Sequence, residues 1–128
     1  MKAIISDMRF ERTVLQVIPA LESGGAERTS VEMARAIVAA GGKALVATSG
    51  GRMCGDVEKA GGRVIEIPAA SKNPLTILAN VGRLTEILRE AQVDIIHARS
   101  RAPAWSAFLA AKAAKTAFVT TYHGAYRA

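Results

Sequence analysis

Val14-Leu15-Gln16-Val17-Ile18-Pro19 leads through Glu22-Ser23-Gly24-Gly25 into a stretch from Ala26 to Ala40, and this succession decides the fold. The first part is a short apolar run closed by proline. In the last part Val31, Ala34, Ile37 and Val38 recur at helical spacing, while Glu27, Arg28, Glu32 and Arg35 fall mostly on other faces. A run too short for a helix, then a glycine loop, then an amphipathic 3.6-residue period reads as strand, loop and helix, and Gly41-Gly42 stops the helix.

The same cycle returns downstream. Ala44 to Thr48 forms a second strand, Ser49-Gly50-Gly51 its exit loop, Met53 to Ala60 a short helix, and Gly61-Gly62 the stop. Val64-Ile65-Glu66-Ile67 is a third strand ended by Pro68. Asn73-Pro74 then opens a helix, because asparagine is a good cap and proline suits the first helical position. That helix is read as aligning Leu75, Leu78, Val81, Leu84 and Leu88 on one stripe. Val93 to His97 makes a fourth strand, Ala102 to Lys115 an Ala-rich helix, and Ala117 to Thr121 a fifth strand running into Tyr122-His123-Gly124.

Strands of nearly continuous apolar character alternating with helices predict an α/β fold: a Rossmann-like, doubly wound parallel sheet with helices on both faces. The 128 residues suit one domain, assigned to residues 13–128, behind a loosely ordered leader at 1–12 that lacks the apolar run of a signal peptide. Half the residues are hydrophobic and 5% aromatic, so Ala, Val, Ile and Leu build the core. Cys54 is the single cysteine, which excludes an internal disulfide and fits a reducing, cytoplasmic setting.

The formal net charge is +6, and from Ala69 onward eight Lys/Arg face Glu86, Glu90 and Asp94. Such a balance suits an anionic ligand, a nucleic acid or an acidic membrane surface, or is simply a solvated basic surface. Nucleic acid is disfavoured, since no aromatics interleave the basic residues and no recognition-helix motif appears. For an acidic membrane, the segment of interest is the amphipathic helix Leu75 to Arg89, whose stripe is otherwise read as core.

In a doubly wound sheet, ligands bind beyond the carboxyl ends of the strands where the strand order reverses. Both histidines, His97 and His123, fall in loops at that edge. With the first and fourth strands adjacent, Gly24 and Gly25 would face His97, Arg99 and Arg101 across a crevice. Glycine permits a sharp turn or close approach to a ligand, and the following helix start favours an anion or a hydroxyl-rich group. Arg99 and Arg101 are either phosphate clamps or solvated surface arginines. Trp105 is read as core or domain contact rather than a platform for sugar.

Several chemistries are set aside. Gly24-Gly25-Ala26-Glu27 is not a dinucleotide fingerprint, and the second strand ends Ala47-Thr48-Ser49 without a ribose-binding carboxylate. There is no Gly-Lys-Ser/Thr phosphate loop, no Gly-x-Ser-x-Gly elbow, no His-Glu-x-x-His and no zinc-ligating cluster in the sequence.

The segment from Val17-Ile18-Pro19 through Ser23-Gly24-Gly25-Ala26-Glu27-Arg28 resembles the first glycine loop of family-4 retaining glycosyltransferases of the GT-B fold. Asp94-Ile95-Ile96-His97 resembles that family's fourth-strand exit, and Thr120-Thr121-Tyr122-His123-Gly124 its fifth. The run Arg99 to Trp105 is similar to bacterial members that build surface polysaccharide or lipopolysaccharide. The resemblance implies that this is the N-terminal, acceptor-side half of an enzyme that transfers a sugar, with retention, from a UDP- or GDP-sugar to a glycan or lipid-linked acceptor, with no metal or other cofactor. It further implies that Gly24 and Gly25 lie against the donor's phosphates and sugar, that His123 acts catalytically on the transferring sugar, and that His97, Arg99 and Arg101 serve the acceptor. The family's C-terminal donor domain has no counterpart in these residues, so the expectation is a truncated half-enzyme, inactive alone. The competing reading is a stand-alone, non-catalytic Rossmann-like binding module.

Overall fold

A computed structural model describes residues 10–21 and 24–121, with only the backbone of Arg101 and Ala102. The elements run β1 (Thr13–Val17), α1 (Gly25–Ala39), β2 (Lys43–Thr48), α2 (Cys54–Lys59), β3 (Arg63–Glu66), α3 (Pro74–Glu90), β4 (Ile95–Arg99), α4 (Arg101–Ala114) and β5 (Ala117–Thr121). The predicted order is found throughout, with ends shifted by a residue or two.

All strand pairs are parallel and the spatial order is β3-β2-β1-β4-β5. Two right-handed crossovers carry the chain outward from β1 to β3. The third returns it to the other side of β1, so the order reverses between β1 and β4. Alternation along each strand divides the core. Val14 and Ile18 face Val31, Ala34 and Ile37 of α1 and Val57 of α2, while Leu15 and Val17 face Leu84 and Leu88 of α3 and Ala107, Ala110 and Ala111 of α4. The alanines let α4 lie close against the sheet and against α3, where Ser106 donates to the Ile77 carbonyl at 2.8 Å.

The helix ends follow the sequence signals. Gly41, at φ 101°, closes α1 with its N–H on the Val38 carbonyl. Asn73 Oδ1 accepts from the Leu75 N–H at 2.9 Å, with Pro74 next in the chain.

The α3 stripe is a correction. Leu84 and Leu88 are buried, but Leu75 and Leu78 are 76% and 65% exposed. Residues three apart are separated by about 300°, so each such step falls about 60° short of a full turn. Leu75, Leu78, Val81 and Leu84 are linked by three of these steps and therefore wind around the helix. The inward face is completed by Asn80, whose amide donates to the Pro68 carbonyl at 3.1 Å and fixes the β3 exit loop.

Candidate functional site

The crevice lies where β1 and β4 part at their carboxyl ends. Its wall toward β2 is held by backbone hydrogen bonds: Leu21 N–H to Gly50 O at 2.7 Å, Met53 N–H to Leu21 O at 2.8 Å and Ser49 N–H to Pro19 O at 3.0 Å. Gly51, at φ 138°, sits so close to the Leu21 backbone that a Cβ there would collide with it. The residues of β1's exit thus receive their position from the loop after β2.

Gly24 and Gly25 answer to different constraints. Gly24 caps α1 with φ −82° and ψ 172°, extended backbone open to any residue, and Gly25 is the first helical residue. No sharp glycine turn is made at these two residues, contrary to one sequence expectation. A Cβ on Gly25 would meet nothing within 4 Å among the described residues. One on Gly24 would meet the carboxylate of Glu27, which leans back against the helix start. That carboxylate already occupies part of the positive end of α1, so an incoming anion must displace it or share the space. Glu27 is a flexible side chain three residues into the chain of helical N–H groups and can swing away.

Beneath the helix start lies a buried polar chain. Gln16, the single polar side chain of β1's buried run, donates from Nε2 to the Ser30 carbonyl of α1 at 3.0 Å. Its Oε1 accepts from Arg99 Nε and Nη2 at 3.2 and 3.1 Å. Arg99 is 3% exposed and has no carboxylate partner among the described residues, and burial pushes its pKa down. The alternative reading of Arg99 as a solvated surface arginine is overturned by this geometry. Its guanidinium points inward and braces β4 to β1 and, through Gln16, to α1. A buried cation held by a carboxamide is costly, and it leaves a fixed positive charge under the sheet's carboxyl edge.

His97 lies on the same sheet face, half-buried, with Nε2 3.3 Å from Thr121 Oγ1 on β5. Arg101 begins α4 at the crevice edge. His123 lies outside the described residues, as does the rest of the loop Tyr122 to Gly124 and the leader up to Arg9. The structure therefore brings Gly24, Gly25 and Arg99 to one edge of the sheet, whereas His97, expected in the exit loop, is the middle residue of β4, paired with Gln16 and Val119. Among the described residues no group of three or more His, Cys, Asp or Glu is arranged to hold a metal ion, and no helix is long and apolar enough to cross a membrane.

On the α4 side of the crevice an open cleft of about 420 Å³ runs from Pro19, at β1's exit, past Ala69, Ala70 and Lys72 to Ser100, Pro103 and Trp105. Trp105 is 66% exposed, which overturns its reading as core and leaves the alternative of a domain contact untouched. Ser100 has φ 100°, a region disfavoured for a side-chain-bearing residue, and strain of this kind, of order 1–3 kcal/mol, concentrates at binding sites. Sequence reasoning passed over Gln16, Lys72 and Ser100. Only Gln16 carried a signal, as a lone amide in an apolar strand. Asp94, within the motif at β4, serves the opposite end of the sheet, where its Oδ2 accepts from the Thr13 N–H at 2.8 Å.

No curated protein matches the chain. The solved glycosyltransferase from Rickettsia africae ESF-5 is 42% identical with a TM-score of 0.81, over 92% of this chain and 31% of that protein. The chain thus spans about a third of that relative's length. Two more distant structures share the fold alone. The C-terminal domain of a Pyrococcus furiosus hydrogenase is 16% identical, with TM-score 0.68 over 88% of this chain and 92% of its own. A Listeria monocytogenes protein described as a UDP-N-acetylglucosamine 2-epimerase is 10% identical, with TM-score 0.59 over 88% of this chain and 31% of its own. The family model described as Glycosyltransferase Family 4 matches residues 23–128, from the glycine loop at the crevice onward, and with the Rickettsia likeness this shows that the chain belongs to glycosyltransferase family 4.

Proposed function

We propose that this chain is the acceptor-side domain of a retaining glycosyltransferase that moves a hexose from a UDP- or GDP-sugar to a glycan or lipid-linked acceptor in cell-envelope polysaccharide synthesis. The donor domain lies outside these residues, and the reaction runs in the cytoplasm without a resident metal. The observation that carries the reading is the uncovered backbone at Gly25, at the start of a 15-residue helix and beside the strand-order reversal. Helix N–H groups and the helix dipole favour the donor's diphosphate there, and Arg99 adds a fixed charge below. In this account Gly24 and Gly25 approach the donor, His123 acts on the transferring sugar, His97 and Arg101 meet the acceptor, and Arg99 positions the others.

The test is incubation of the full-length protein with UDP- and GDP-sugars, following nucleotide release and sugar transfer to membrane extracts, with and without a chelator. The account expects release and transfer at unchanged rate in chelator. A full-length protein that neither hydrolyses nor transfers from any nucleotide sugar sinks it, and a non-catalytic binding module then stands.

For a lipid-linked acceptor, the exposed Leu75 and Leu78 support peripheral contact with an anionic bilayer. Apolar side chains at a helix start, with basic residues along the same helix, suit an interface. Leu75→Ser with Leu78→Ser should lower co-sedimentation with acidic vesicles several-fold. Unchanged sedimentation would remove the membrane from the account.

A further inference from the structure

We infer that the cleft beside Trp105 is a subsite for an acidic saccharide, with the indole taking one sugar ring and Lys72 taking the anionic group that the ring carries. The inference rests on the acceptor-side reading above and gives it a substrate class.

Trp105 is the chain's single tryptophan, and it stays 66% exposed. So large an apolar side chain gains from cover, and an indole left open at the edge of a ligand crevice is ready to receive it from a ligand. The cleft's other apolar walls are short or flat: Ala69 and Ala70 after β3, and Pro103 in the first turn of α4. Among the described lining residues none of these walls is a long aliphatic side chain. A pyranose has a face of C–H groups and a rim of hydroxyls. Its C–H face can lie on an indole while the rim meets water and the Ser100 hydroxyl, a division of apolar body and polar edge common to ligand pockets.

Charge selects among sugars. Lys72 is the sole charged side chain lining the cleft among the described residues, and no carboxylate lines it to neutralise the ammonium. A compact ammonium on a flexible stem recognises an anion as a point charge and does not require the planar geometry that arginine prefers. A neutral sugar uses the indole alone. A sugar bearing phosphate or carboxylate uses both, and the excess positive charge of the chain draws it in.

The experiment follows the Trp105 indole N–H resonance in the isotopically labelled full-length protein, identified by its loss in Trp105→Phe. Glucose 6-phosphate, glucuronate, glucose and inorganic phosphate are titrated separately. The expected result is a saturable shift with either acidic sugar, at least about fivefold weaker binding of glucose, and no shift with phosphate alone. Two arms separate phosphate from carboxylate as the preferred group. Lys72→Ala should bring the acidic sugars down to the level of glucose. An indole resonance unmoved by all sugars, or a preference untouched by Lys72→Ala, overturns the subsite. Failure here is distinguishable from failure of the transferase reading. Sugar transfer with unaltered acceptor KM in both variants removes the subsite and leaves the enzyme, whereas acidic-sugar binding without any transfer activity leaves the subsite and removes the enzyme.

Discussion

Two glycine pairs stand at neighbouring strand exits, and they are there for opposite reasons. Gly50 and Gly51 have φ of 116° and 138°, and Gly51 is pressed against the Leu21 backbone, so the fold itself demands glycine. Gly24 has φ −82°, Gly25 is helical, and the space over Gly25 is empty of described residues to 4 Å. Among the described residues no contact or left-handed backbone requires glycine at 25. Gly55 and Gly82 are equally uncovered, so it is the place of Gly25 beside the crevice where the strand order reverses that points to an approach from outside.

The largest way to test the contrast is Gly51→Ala. It forces a side chain into left-handed backbone and against the chain after β1, so a loss on the order of 3 kcal/mol is expected by chemical denaturation. A loss under about 1 kcal/mol would mean that the β2 exit loop does not hold the crevice wall. Next in size is Gln16→Met, which keeps the volume but leaves the buried Arg99 without its acceptor. We expect about 2 kcal/mol of destabilisation, and a further Arg99→Met should recover part of it. If the second substitution adds its full cost instead, the two residues do not act as a pair. Smaller again is Glu27→Gln, which removes the carboxylate leaning on Gly24 and should tighten binding of an anionic donor two- to threefold, about 0.5 kcal/mol. Weaker binding would show that Glu27 assists the donor.

The contrast also marks what the sequence can and cannot reveal. Apolar runs bounded by glycine and proline, and helices opened by Asn73-Pro74, are dictated by near neighbours, so strand order, helix order and the α/β class were legible. The reversal between β1 and β4 was expected from the commonest strand orders of doubly wound sheets. Direction at longer range was not. Arg99 is held by Gln16, 83 residues earlier in the chain, and no local pattern tells a buried arginine from a solvated one. Leu75 and Leu78 were misplaced because three-residue spacing looks like a stripe over one step and winds away over three. Trp105 looked like core because an aromatic inside an Ala-rich helix usually is, and its exposure depends on which face of α4 meets α3. The two glycine pairs read alike in sequence, and only φ and the neighbouring atoms separate them.

The most direct measurement pairs stability with donor binding in one variant, Gly25→Ala of the full-length protein, using thermal unfolding and calorimetric titration of the UDP- or GDP-sugar that the wild type binds. With no described residue within 4 Å to obstruct it, the added methyl should leave stability unchanged or raise it by less than about 1 kcal/mol. Donor affinity should fall at least about tenfold, because the methyl stands where the diphosphate approaches the helix start. A variant as stable as wild type that binds donor equally well would contradict the account, and Gly25 would then be no part of the donor site.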